Sequence, residues 1–190
     1  MTQKEYNKLI AEAYQLRDQL LTLAKNMETK MTYYVDGFTS KTCSKTALVR
    51  SLIRDYWDDY METLFWQASD VVEDKDICLD DYLLDYDGES EPVSFSVLKW
   101  AYTELEDFFT CALEYDTDLY AVLDSPSSYG ISSHIGHDIC LTQNRRGAGF
   151  WDGDYDVEFK EENLGKIFTD FAHSLGDIDL YIGDDGRIYA

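Results

Sequence analysis

Apolar residues at alternating steps of three and four open the chain: Tyr6, Leu9, Ala13, Leu16, Leu20, Leu23 and Met27 trace a heptad seam about three repeats long. Thr2 and Glu5 ahead of it fit a capping box, the hydroxyl and the carboxylate each taking a free amide at a helix start. The seam either packs inside its own domain or pairs with a second copy, making a homodimer through Leu9, Leu16, Leu20 and Leu23. Residues 31–38 are rich in β-formers and read as a strand or an extended connection.

A second helical period begins after Ser44, a suitable N-cap, and predicts a helix over residues 45–69. Its apolar face is Val49, Ile53, Tyr56, Trp57, Tyr60 and Leu64. Asp55, Asp58, Asp59 and Glu62 recur at i, i+3, i+4 and i+7, which puts four carboxylates on the adjoining face. Residues 71–91 read as a charged loop with a short ordered piece over 79–84 and an Asp87-Gly88 turn. Pro92 then suits the first turn of a further helix. Leu98, Ala101, Leu105, Phe108, Phe109, Ala112 and Leu113 are its inner face, with Glu104, Glu106, Asp107 and Glu114 outside.

Residues 125–136 are rich in Ser, Gly and Pro and mark the best boundary. Beyond them the spacing predicts strands over 138–143 and 148–152 joined by a turn at 144–147, where Gly147 supplies positive φ. Leu164, Ile167, Phe168, Phe171, Ala172 and Leu175 then predict an amphipathic helix stopped at Gly176. A final hairpin turns through 183–186. The expected fold is α+β, a helical N-terminal two-thirds with a C-terminal ββαββ unit. Its parts are 1–124, helical and acidic from residue 55, and 125–190, a small α+β unit, unless the two form one continuous domain.

With 45% hydrophobic residues, the 190-residue chain can fill a core. Charge changes the picture more. The net is −22, and residues 55–124 alone hold 21 acids against the bases Lys75 and Lys99, a net of −19. Residues 1–54 carry nine bases against five acids, a net of +4, so the chain is polarised. Direct binding to nucleic acid is disfavoured by that balance outside the basic first 54 residues. No apolar run is long enough for a bilayer and no signal-peptide core opens the chain, so a soluble, cytoplasmic protein with no membrane partner is expected.

Cys43, Cys78, Cys111 and Cys140 form no C-x-x-C pair and read as buried free thiols in a reducing compartment. His134, His137 and Cys140 are spaced by three, which gathers zinc only if they lie on a helical turn, and a fourth ligand is missing. Asp152, Asp154, Asp156 and Glu158 alternate as calcium ligands do, but Val157 and Asn163 stand where an EF-hand needs Gly and Glu. No cofactor or metal is therefore assigned.

The segment 136–152, GHDICLTQNRRGAGFWD, followed by 179–189, DLYIGDDGRIY, resembles a group of small, largely uncharacterised bacteriophage proteins whose C-terminal pattern runs GHDxxLTxNxxGAGFWD and then DLYxGDDGxI. The resemblance covers roughly the last third of the chain and none of the acidic middle. It implies a phage origin and a site of action in the host cytoplasm, and it brings no activity with it. Within the motif, His137, Asp138, Asn144, Arg145, Arg146, Trp151 and Asp152 are the candidate chemistry. His137 and Asn144 are expected to fix the hairpin by backbone hydrogen bonds.

Helical carboxylates about 5 to 6 Å apart can fill a basic groove shaped for phosphates. The expected function is a DNA mimic that inhibits a host nucleic-acid-binding defence protein of the restriction or CRISPR type. Asp55, Asp58, Asp59, Glu62, Glu104 and Asp107 would be its contact groups. A metal-dependent enzyme centred on the C-terminal motif and a phage assembly adaptor using the N-terminal seam are the alternatives.

Overall fold

The computed structural model describes residues 30–35, 39–72, 75–86, 88 and 91–190. The heptad seam and Asp87 of the expected turn lie outside the described residues. The chain divides into two units, Met1–Leu48 and Val49–Ala190, so 49–124 and 125–190 fall in the same unit. Both helices and small antiparallel sheets are present, an α+β protein.

In the first unit, β1 (Lys30–Val35) pairs antiparallel with β2 (Thr39–Ser44), Lys30 opposite Ser44 and Val35 opposite Thr39. The Ser44 hydroxyl accepts the Ala47 amide at 3.2 Å, capping α1 (Lys45–Gln67) as its residue type predicts.

The second unit is organised by two long helices. In α1, Val49, Ile53, Tyr56, Tyr60 and Leu64 are buried, the face their spacing marks, while Trp57 of that expected face is half-buried. The segment after it is more ordered than a loop. β3 (Ser69–Val72) and β4 (Lys75–Cys78) form an antiparallel hairpin, and α2 (Leu79–Leu84) follows where the short ordered piece was expected.

The second long helix, α3 (Phe95–Tyr115), buries Val97, Ala101, Leu105, Phe108, Phe109, Ala112 and Leu113. It starts three residues later than Pro92 suggests, and Leu98 is 38% exposed instead of buried. The cause is long-range. Ile188 donates its amide to the Pro92 carbonyl at 2.8 Å and accepts the Ser94 amide at 2.9 Å, so residues 92–94 are held extended beside the last strand.

After α4 (Leu119–Asp124) and a 3-10 turn at Pro126–Tyr129, residues expected as a strand form a helix, α5 (Ile135–Gln143). No strand covers 148–152. Asp138, Ile139, Cys140, Leu141, Thr142 and Gln143 are all buried, and a segment buried on every side loses the periodicity that separates helix from strand. The turn over 144–147 does form, with Gly147 at φ 60 and Arg145 at φ 54. The ββαββ order exists further on, with its first hairpin at β5 (Glu158–Phe159) and β6 (Glu162–Asn163). Then come α6 (Leu164–Ser174), β7 (Tyr181–Ile182) and β8 (Ile188–Tyr189). Asn163 caps α6 by accepting the Lys166 amide at 2.9 Å.

Two features tie the helices together. One is aromatic: the Phe150 ring lies 5.7 Å from Phe108, 5.2 Å from Phe168 and 4.8 Å from Tyr155, centroid to centroid, within the range for favourable ring pairs. The other is polar. Gln143 is 1% exposed; its amide oxygen accepts the Tyr60 hydroxyl at 2.8 Å, and its nitrogen donates to Glu104 at 3.1 Å and to the Gly176 carbonyl at 2.6 Å. One side chain thus joins α1, α3, α5 and the end of α6. Burial raises the Tyr60 pKa well above the usual phenol value, which keeps the hydroxyl a donor.

Replacing Gln143 with Leu leaves the Tyr60 hydroxyl dry and unpaired, while the Gly176 carbonyl, on an exposed residue, turns to water. A dry unpaired group costs about 1 to 3 kcal/mol, so urea unfolding of Gln143→Leu should show stability lower by about that amount. A loss under about 1 kcal/mol would show that the network carries little.

Candidate functional site

The acidic face of α1 is set by what its other face buries. Tyr56 donates its hydroxyl to the Leu123 carbonyl, and Gly136 at the start of α5 presses on the backbone of α1, where an added Cβ would stand 2.3 Å from the Tyr56 carbonyl oxygen. With that side held, Asp55, Asp58 and Glu62 are exposed and Asp59 is half-buried beside α5. The Asp59 carboxylate lies 3.8 Å from His134 Nδ1, and Arg54 pairs with Asp55 at 3.0 Å. Trp66, 60% exposed, lies on the same face, because 55, 59, 62 and 66 follow at i, i+4, i+7 and i+11.

Glu104 and Asp107 do not extend this stripe as equals. Asp107 is exposed, but Glu104 is turned onto Gln143 and half-buried. Burial, and then the neighbouring Asp107 charge, raise the Glu104 pKa above the usual carboxyl value. Glu106 is raised by burial too, against the pull of Arg50.

The motif residues are accounted for mostly by structure. His137 and Asp138, adjacent in sequence, are brought together on the helix: His137 Nδ1 and Asp138 Oδ1 are 2.9 Å apart. Tyr155 donates its hydroxyl to the other Asp138 oxygen at 2.6 Å. Burial, followed by the charge of Asp138, drives the Tyr155 pKa far up, so the phenol holds its proton and Asp138 is the acceptor. Tyr155 was not among the sequence candidates; the contact spans a turn that local periodicity does not encode.

His137 therefore fixes no hairpin; it leans on a buried carboxylate with its ring partly exposed. Asn144 does bond to backbone, donating to the Cys140 carbonyl at 2.9 Å, but it closes the end of α5. Arg146 donates to the Gln67 carbonyl at 2.5 Å, placing a cation at the C-terminus of α1 as the helix dipole favours. Thr142 accepts the Phe150 amide at 3.0 Å, and a Cβ on Gly149 would fall 2.2 Å from the Thr142 hydroxyl oxygen. Arg145, Trp151 and Asp152 are left exposed, and the Trp151 ring lies 6.1 Å from that of His173.

The zinc spacing of His134, His137 and Cys140 falls on α5 and the residue that precedes it, yet the three groups part company. His134 faces Asp59, His137 faces Asp138, and Cys140 is buried against the Gln67 amide at 2.8 Å. Burial raises the Cys140 thiol pKa far above its ordinary value, which disfavours the thiolate a metal takes. Among the described residues no three His, Cys, Asp or Glu side chains are grouped to hold a metal ion. A shallow, open concavity of about 510 Å³ lies between 130–134 and 153–157, with Ser132, His134, Asp154 and Asp156 on its walls.

No protein-family model, no curated protein and no solved structure matches the chain.

Two outcomes test these assignments. Tyr155→Phe keeps the ring and removes the hydroxyl, leaving a buried carboxylate oxygen without its donor; stability should fall by about 1 to 3 kcal/mol, read by chemical denaturation. A change of a few tenths would show that water replaces the hydroxyl.

Glu104→Gln tests the raised carboxyl. A folded-state pKa above the unfolded one means that the stability it contributes is complete below the unfolded pKa and is lost as pH rises through the folded value. The Gln variant keeps an acceptor for Gln143 and has no such loss. Its melting temperature relative to the parent should therefore climb as pH is raised from about 4 towards neutral. A constant difference across that range would remove the charge at Glu104 as the cause.

Proposed function

We propose that this is a phage-encoded acidic protein that occupies the basic groove of a host nucleic-acid-binding defence protein, of the restriction or CRISPR type, in place of DNA. The observation that carries the reading is the exposed face of α1, where Asp55, Asp58 and Glu62 stand in water and Asp59 borders them, on a helix whose opposite side is locked into the core. The net charge of −22 supplies the long-range field that steers such a surface to a cationic partner. The phage origin rests on the resemblance of the C-terminal motif, and action in the host cytoplasm follows from the target class. Among the described residues no helix is long and apolar enough to cross a membrane.

Rigidity is the property a mimic needs. Duplex DNA offers a negative charge every ~1.7 Å of axis, and carboxylates on a helix held along its length keep their spacing without an ordering cost on binding. A flexible acidic tail has the charge and lacks this preorganisation.

Changing Asp55, Asp58 and Asp59 to Asn and Glu62 to Gln keeps shape and removes charge. Competition of the quadruple variant with duplex DNA, for the host protein captured on the immobilised parent chain, should weaken sharply. Its association rate should drop by about ten-fold at low salt. The variant should be no less stable than the parent, since i,i+3 and i,i+4 repulsion is relieved. Undiminished competition at physiological salt would show these four to be a solvated face and would remove the reading.

A further inference from the structure

Nine large apolar side chains are exposed among the described residues, and one of them, Trp66, stands inside the acidic face. Scattered exposed apolar groups are ordinary; an indole aligned with Asp55, Asp59 and Glu62 at i+11, i+7 and i+4 is a specific juxtaposition. Helical side chains lean towards the N-terminus over the preceding turn, and for Trp66 that turn carries Glu62. The spacing thus sets a flat π surface one turn from a carboxylate on the same face.

Resting on the reading above, we propose that Trp66 stacks on an arginine guanidinium of the partner, so that the groove receiving this face is an arginine groove. A guanidinium is planar. It can lie on the indole while its edge N–H groups pair with the Glu62 carboxylate, satisfying both groups at once. A lysine ammonium is a compact, strongly hydrated point charge with no flat face to lay on a ring. A second copy of the chain is a poor occupant, because it brings a like-charged stripe against this one. An apolar partner would strip water from the carboxylates and return nothing for it.

The test uses the full chain, labelled with ¹⁵N, and two probes of equal charge, hexa-arginine and hexa-lysine. The indole Nε1–H signal of Trp66 is identified by its loss in Trp66→Phe, and that of Trp151, an exposed indole off the stripe, serves as the internal control. Hexa-arginine should shift the Trp66 signal more than hexa-lysine does, with the Trp151 signal still. Trp66→Ala should bind hexa-arginine about three-fold more weakly and hexa-lysine as the parent does. Trp66→Gln provides a second variant with the same expectation, and the melting temperature checks that each is folded. A Trp66 signal indifferent to arginine, or equal losses for both peptides, overturns the arginine assignment. The quadruple carboxylate variant separates the two claims: if it loses both peptides while Trp66→Ala loses neither, the acidic face stands and Trp66 has no part in it.

Discussion

Gln143 is the side chain on which the second unit depends most, because a buried amide is tolerable only when both its ends are paired. Tyr60, Glu104 and the Gly176 carbonyl supply those pairs from three other parts of the chain. The network fixes more than it stabilises. A sliding of α1 along α5 by one turn would leave a dry hydroxyl and a dry amide, whereas the apolar contacts around them would merely re-form. Register along α1 is therefore set by polar atoms, and the positions of the carboxylates on its outer face inherit that register.

Charge acts against this core. A chain with 38 acids and 16 bases repels itself, and compact states concentrate the repulsion. Relief is local: Lys160, at the tip of the β5–β6 hairpin, reaches both Asp116 and Asp118 just beyond α3, and Lys166 pairs with Asp170 along α6. Exposed pairs of this kind contribute little each. The buried aromatic cluster around Phe150 carries the larger favourable contribution, since each fully buried ring removes about 150 to 250 Å² from water.

What could be read from the sequence was what local spacing encodes. The two faces of α1, the inner face of α3 from Ala101 onward, α6 and the turn between β7 and β8 follow from periodicity and turn residues within a few positions. The β3–β4 and β5–β6 hairpins, α4, the start of α3 and α5 do not. The start of α3 is decided by Ile188, far along the chain, and α5 is buried throughout from Asp138 on, so its alternation of Ile139 and Leu141 reads as a strand. The candidate site divides the same way. The stripe was legible because it is a matter of helical spacing, and Trp66 completes that spacing, although only the structure shows its ring uncovered. The pairing of Asp138 with Tyr155 was not legible, because no pattern in either segment points to the other.

Three close-packed glycines have an implication for how sequences like this one can vary. At Gly136, Gly149 and Gly165 an added methyl would collide with a carbonyl or hydroxyl oxygen at 2.2 to 2.5 Å, so these positions admit no side chain while the packing lasts. On the outer face of α1, Asp55, Asp58 and Glu62 are exposed instead. Drift there is limited only by what meets the surface, so a lineage of such chains could keep its architecture and exchange its binding partner through a handful of substitutions.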